Sequence, residues 1–354
     1  LVKISVVADI HLGNGIPPSL TYKNLEENFL KPTQEFQPNI ICIAGDLTDR
    51  RLTLNSEAAL YLNKFIRELK KFDAIILYVM GTNSHEAGNL NFFDSEIDDR
   101  FRIYRSVTID EVCGIRFLFI PEEHVTNPKE YYENYFDAKT EICIGHGLFD
   151  YVYFLQKQAG GRKLTCPVFS EDDFRNVKGP VIFGHVHTPQ SKDKRRYVGS
   201  FGRYNHSEEE NKGHLEIIYD TLGDAVVSDK FIVNTGALRF DTILESNLPA
   251  DRDMMISVLT DLVQKVYRLR IRLDRKIDDV RMSDIISFAK SQYTVTVDKH
   301  FAKKNKGVQN DEVELMENKY ESLSPVDAIS EFILERHNIH MDKDFILHNI
   351  REAV

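Results

Sequence analysis

The chain has 354 residues, 42% of them hydrophobic and 28% charged, the make-up of a globular protein long enough for two domains. No apolar run reaches membrane-span length and no basic-then-apolar leader opens the chain, so neither a membrane protein nor an exported one is expected. A net charge of −10 speaks against a general affinity for polyanions, although basic residues cluster locally. Cys42, Cys113, Cys143 and Cys166 form no CxxC pair and read as reduced residues of a cytosolic protein, with no metal role.

From the first residue, apolar runs alternate with helical patterns. "KISVVADIH" reads as a buried strand, and a helix is predicted from about Leu20 to Phe36. "IICIAGD" is the next strand. A helix from about Asn55 to Lys70 follows, with Ala58, Leu62, Phe65, Ile66 and Leu69 on one face. "IILYVMG", "IRFLFIP", "EICIGHG", "GPVIFGHVH" and "HLEIIYD" are further strands. This predicts an α/β sandwich with mixed sheets over 1–227.

From 228 to 300 a small, separate α/β domain is expected. "KFIVNTG" and "LRFDTILE" read as strands, and a helix starts near Asp251. "VYRLRIRLD" is a strand, "SDIISFAKSQ" a helix capped by Ser283, and "YTVTVD" a strand. Along the basic strand Arg268, Arg270 and Arg272 point one way, and Leu269, Ile271 and Leu273 the other. Residues 301–310 read as a polar linker. Residues 311–354 read as a helical segment with Val326, Ile329, Phe332 and Ile333 in one apolar seam.

Five motifs stand at strand ends in the first 187 residues: Asp9-Ile10-His11, Gly45-Asp46, Ser84-His85-Glu86, Gly145-His146-Gly147 and Gly184-His185-Val186-His187. Strand ends of α/β folds converge on one edge, and aspartates and histidines gathered there are too costly to bury uncompensated. Divalent cations compensate them, and a mixed N and O ligand set suits Mn, Zn or Fe better than Ca or Mg. Asp46 can bridge two cations. Asp9 and His11, two apart, point the same way in extended geometry, and His185 and His187 repeat the device. His146 adds a further nitrogen.

The order and spacing of these motifs resemble the calcineurin-like metallophosphoesterases. Tyr197-Val198-Gly199-Ser200, Arg203, Glu208 to Glu210 and Lys212-Gly213 narrow the resemblance to the SbcD-type DNA repair nucleases and their phage counterparts. The resemblance implies a metallophosphoesterase sandwich with a DNA-capping domain and a C-terminal helical segment. It implies two divalent ions, Mn above Mg, Fe or Zn, held by Asp9, His11, Asp46, His146, His185 and His187. His85, which binds no metal, would serve the leaving oxygen. The third motif departs from the usual Gly-Asn-His-Asp/Glu, in which Asn binds metal; either Ser84 or Asn83 would supply that oxygen here.

Asp49 can orient the site, and Arg50, Arg51 and Arg203 can meet substrate phosphates, as can the three arginines of the basic strand. The activity implied is a 3′ to 5′ exonuclease and single-strand endonuclease in DNA repair and recombination. The partners implied are DNA, a second copy of the chain and an SMC-like coiled-coil ATPase of the SbcC type. The location implied is the cytoplasm of a bacterial or phage-infected cell. A phosphatase or phosphodiesterase acting on a small molecule or a protein is the other enzymatic reading, and a scaffold without chemistry is the third.

Overall fold

The apolar runs that end in the five motifs build the middle of two six-stranded sheets. The computed structural model describes residues 1–93, 97–152 and 167–299, and residues 1–299 form one compact unit. In the first sheet β1 (Val2–Val7), β2 (Ile40–Ala44), β3 (Ile75–Val79) and β4 (Phe101–Tyr104) run parallel in that order. The second sheet has β5 (Thr108–Val112) at its edge, then β6 (Ile115–Ile120) and β7 (Ile142–His146). A two-stranded ribbon of β8 (Leu148–Phe149) and β9 (Val168–Phe169) lies beyond β7. β10 (Val181–Gly184), β12 (Arg195–Tyr197) and the outer β11 (Gln190–Lys192) complete the second sheet.

The sheets pack face to face because each inner strand alternates two apolar sides. Ile4, Val6, Cys42, Leu77 and Val79 of one sheet meet Phe117, Phe119, Ile144 and Ile182 of the other. The opposite side of the first sheet, with Val7, Ile41, Ile43, Ile76 and Tyr78, is covered by helices. These are α1 (Pro18–Leu25), which continues through a π-helical turn at Glu26–Leu30 into α2 (Lys31–Phe36), and α3 (Glu57–Leu69). The predicted seam of α3 is buried in full, and Ser56 caps the helix by accepting from the Ala59 amide. A one-turn α4 (Asn83–Glu86) follows β3. α5 (Pro128–Phe136) packs on the outer side of the second sheet through Tyr132 and Phe136.

Two expectations shift at the end of the sandwich. β13 (Gly213–Asp220) pairs antiparallel with β1, and β14 (Ala225–Val233) pairs with β13 to close the first sheet. The strand read at "KFIVNTG" is the second half of β14, so the boundary expected at 227 falls inside a strand of the sandwich. The alternation simply continues past the turn, and local pattern cannot show which sheet a strand joins.

The smaller sheet begins at β15 (Phe240–Leu244), with β16 (Arg268–Leu273) central and β17 (Val295–Lys299) outermost, all parallel. The crossovers are α6 (Arg252–Lys265) and α7 (Asp279–Ser291), whose Met255, Leu259, Ile285 and Phe288 cover Leu269, Ile271 and Leu273. Asp251 caps α6, as its position predicts. α7 starts earlier than predicted and is capped by Asp278, not Ser283, because Asp278 accepts from the Arg281 amide. Cys42 and Cys143 are buried, whereas Cys113 lies exposed in the β5–β6 turn. The linker expected at 301–310 and the helical segment at 311–354 lie outside the described residues, as does Cys166.

Candidate metal centre

The loops after β1, β2, β3, β6, β7 and β10 meet at one edge of the sandwich. They bring Asp9, His11, Asp46, His85, His146, His185 and His187 together. The route differs from the extended strand end expected for Asp9 and His11. β1 stops at Val7, and Asp9, His11, Asp46 and His185 all adopt positive φ, at 49°, 50°, 49° and 88°. Non-glycine residues are held there only when their surroundings fix them, at a cost of about 1–3 kcal/mol each. The turns are fixed from several sides. The His185 amide donates to both Asp9 oxygens at 3.0 Å, and the Tyr204 hydroxyl reaches the carbonyls of Asp9 and Ile10 at 2.8 and 2.6 Å. Gly81 passes so close that a Cβ there would lie 2.4 Å from the Asp46 amide nitrogen.

Asp46 is the hub. Its Oδ1 accepts from the Thr82 amide at 2.7 Å. Its Oδ2 lies 2.9 Å from His85 Nδ1, 3.5 Å from His146 Nε2 and 3.8 Å from His11 Nε2. Burial would raise this carboxyl, but the charge and hydrogen bond of His146, then those of His85 and His11, hold it well below the usual range. Burial likewise opposes charge on His146, yet Asp46 carries that ring up to about 10. Carboxylates that hold protons on the surrounding imidazoles this firmly would hold cations in their place.

The ring tautomers point to the same conclusion. His146 Nδ1 donates to the Ala44 carbonyl at 2.9 Å, so its fully buried Nε2 is the nitrogen that faces the carboxylates, where a second proton or a cation stands between them. His11 Nδ1 faces Asp49 Oδ1 at 3.3 Å, and His187 Nδ1 faces Glu208 Oε1 at 2.9 Å. Their Nε2 atoms therefore turn toward each other at 3.0 Å, which is repulsive unless a cation or an extra proton stands between them. One group able to hold an ion is Asp9, His11 and His187; another is Glu122, His146 and His185; Asp46 borders both, with Asp9 and His146 on one side and His11 and His85 on the other. Inward-facing ring nitrogens beside carboxylates fit divalent metals bound through N and O.

Ser84 and Asn83, the two residues expected to supply an oxygen, lie on the one-turn α4. Both are exposed. The hydroxyl inside the centre is that of Thr82, 3.2 Å from Asp46 Oδ2 and 3.2 Å from Glu122 Oε2. Glu122 itself, 4% exposed just after β6, carries no local sequence signal beyond its strand-end position. Glu86 is buried and accepts from the Leu47 amide at 2.6 Å, the Gly81 amide and the Tyr78 hydroxyl, tying the second and third motif loops together. Burial pushes Glu86 up to about 7.

The arginines fall into separate roles. Arg50 is exposed and reaches Asp49 Oδ2 at 3.1 Å, and Arg51 is exposed beside it. Arg203 donates to the carbonyls of Glu210, Ala237 and Glu209, bracing the loop that carries Glu208. On β16 Arg268 is exposed over the Tyr267 ring, while Arg270 and Arg272 are half-buried. Burial and the nearby charges of Arg270 and Arg268 lower the pKa of His206, which bonds the Asp241 carbonyl at 3.0 Å. The arginine side of the small sheet thus lies beside the loop that supplies Glu208. Among the described residues no helix is long and apolar enough to cross a membrane.

A sequence profile for the calcineurin-like phosphoesterases matches residues 2–213, more than half of the chain and all five motifs. One solved structure that is similar covers 65% of this chain and 98% of its own, at 13% identity and a TM-score of 0.32. The profile match, over a centre with this donor set, establishes that the chain belongs to the calcineurin-like phosphoesterases, metal-dependent hydrolases of phosphate esters.

Proposed function

We propose that this phosphoesterase is a DNA nuclease, a 3′ to 5′ exonuclease and single-strand endonuclease acting at DNA ends in repair and recombination. The observation that carries the reading is the arginine side of β16 beside the loop of His206 and Glu208. A small-molecule phosphatase has no use for a separate basic sheet next to its metal centre, whereas a polyanion needs contacts beyond the scissile phosphate. The later resemblance, through Tyr197-Val198-Gly199-Ser200 and Lys212-Gly213, supports the same assignment, together with a dimer and a coiled-coil ATPase partner.

Two divalent ions, with Mn the best fit, would be held by Asp9, His11 and His187 on one side and by His146 and His185 on the other, with Asp46 shared. Bound there, they would neutralise the nonbridging oxygens of a phosphodiester and acidify the attacking water. The chain supplies the rest. Asp49 and Glu208 fix which nitrogens of His11 and His187 face inward. His85 is 30% exposed, and its hydrogen bond to Asp46 raises its pKa, so it holds a proton at the open side of the centre. That proton goes to the sugar oxygen as the phosphorus–oxygen bond breaks.

Manganese-dependent turnover of end-labelled single- and double-stranded DNA, compared with that of nucleotide monoesters and phosphoproteins, tests the proposal. DNA should be degraded from its 3′ ends with by far the higher efficiency. Preference for monoesters or phosphoproteins would instead make the protein a phosphatase on the same centre.

A further inference from the structure

Glu122 stands where the second cation lacks its expected oxygen. Its Oε2 is 3.1 Å from His185 Nδ1, 3.7 Å from His146 Nε2 and 3.2 Å from Thr82 Oγ1. Asp46 Oδ2 closes the group at 3.5 Å from His146 Nε2. Atoms bound to one cation at about 2.1 Å sit roughly 3.0–3.4 Å apart; the Glu122–His185 pair falls in that range, and the two His146 contacts lie a few tenths of an ångström beyond it. His146 Nδ1 donates to the Ala44 carbonyl, so its buried Nε2 faces Glu122 and Asp46, and the positive charge this trio requires between them is one that a shared cation supplies. Asn83 and Ser84, the candidates nearer in sequence, are exposed.

We infer that Glu122 is a direct ligand of the second cation, beside Asp46, His146 and His185. The inference rests on the two-metal reading and changes its chemistry. A site completed by a neutral amide or hydroxyl carries the charge of Asp46 alone, whereas this one adds a second carboxylate. The added anionic oxygen strengthens binding of hard, oxygen-preferring ions such as Mn and shifts preference away from Zn. The Thr82 hydroxyl, within reach of both Asp46 and Glu122, donates to one of them and holds the two carboxylates apart.

The test combines Mn titration by calorimetry and electron paramagnetic resonance with anomalous scattering from Mn-loaded crystals. It uses the full chain, Glu122→Gln and Glu122→Ala, with Ser84→Ala and Asn83→Ala as comparisons. The unaltered protein should bind two coupled Mn ions, with a Glu122 oxygen about 2.0–2.2 Å from one anomalous peak. Glu122→Ala should bind one, with no coupling signal. Glu122→Gln, nearly isosteric and so a safeguard against misfolding, should bind the second at least about 10-fold more weakly. Ser84→Ala and Asn83→Ala should match the parent. Two peaks with Glu122 beyond 3 Å of both, the spacing of a group acting only through His185, would overturn the inference. Undiminished binding of two ions by both Glu122 variants would do the same. Uptake of a single ion by the unaltered protein would reject the two-metal reading itself, and the inference with it.

Discussion

Glu208 Oε1 lies 2.9 Å from His187 Nδ1, and this contact decides which nitrogen of His187 turns toward His11. The other Glu208 oxygen is 3.1 Å from the fully buried Lys212 ammonium, which also donates to the His187 carbonyl at 2.8 Å. Lysine, carboxylate and imidazole thus form one chain of contacts that ends at the metal centre. Outer partners of ligating histidines commonly contribute ~10–100-fold in metal affinity. Glu208→Gln should weaken Mn binding at the Asp9, His11 and His187 site by about that factor, read by calorimetric titration. Affinity equal to the parent's would show that His187 needs no such orientation.

Asp46 is expected to be shared by two ions. Anomalous maps of Mn-loaded crystals should show two peaks flanking its carboxylate, and Asp46→Asn should lower both occupancies together. A lone peak, or density remote from Asp46, would reject the arrangement.

His85 sits at the open side of the centre, against Asp46. His85→Ala should retain its metals while turnover falls ~10²–10⁴-fold, the usual contribution of a general acid. Metal analysis of the purified variant decides the point: stoichiometric loss of an ion would make His85 a ligand instead.

Arg268 and Arg270 are the arginines of β16 whose charges reach His206. Replacing both with Ala should weaken DNA binding and lower the slope of log affinity against log salt by about one for each phosphate no longer neutralised. Hydrolysis of a small chromogenic phosphodiester should be unchanged. A parallel loss on both substrates would indicate damage to the fold.

In the smaller sheet, Glu245 is fully buried and is held by Arg275 Nε at 2.7 Å and by Arg281. Burial alone would raise its pKa, but the hydrogen bonds and charges of the two arginines lower it overall. Its folded pKa is therefore below its unfolded value near 4.3. The stability it contributes is fully present above that unfolded value and disappears as pH falls through the folded one. Glu245→Gln should lower stability at neutral pH by roughly 1.5–3 kcal/mol. It should also flatten the acid limb of the denaturation curve. An unchanged acid limb would show that this clamp contributes nothing to acid lability.

The sequence by itself determined what depends on short-range periodicity. Strand runs ending in Asp46, His146 and His185, the apolar seam of α3, the Asp251 cap and the alternation of arginine with leucine and isoleucine on β16 are each written within a dozen residues. Period and capping chemistry act over that distance, so local reading reaches them. What the tertiary structure decided depends on where distant loops arrive. Thr82 and Glu122 follow strands of different sheets, and their oxygens meet at 3.2 Å only because the two sheets pack face to face. Ser84 and Asn83 carry suitable oxygens and the right neighbours in sequence, but the turn into α4 leaves both exposed. Asp9 and His11 converge through left-handed turns held by His185 and Tyr204, partners more than 170 residues away. The residue types announced a metal centre; which further oxygens lie within reach of it depends on backbone strain and long-range packing, which no local pattern encodes.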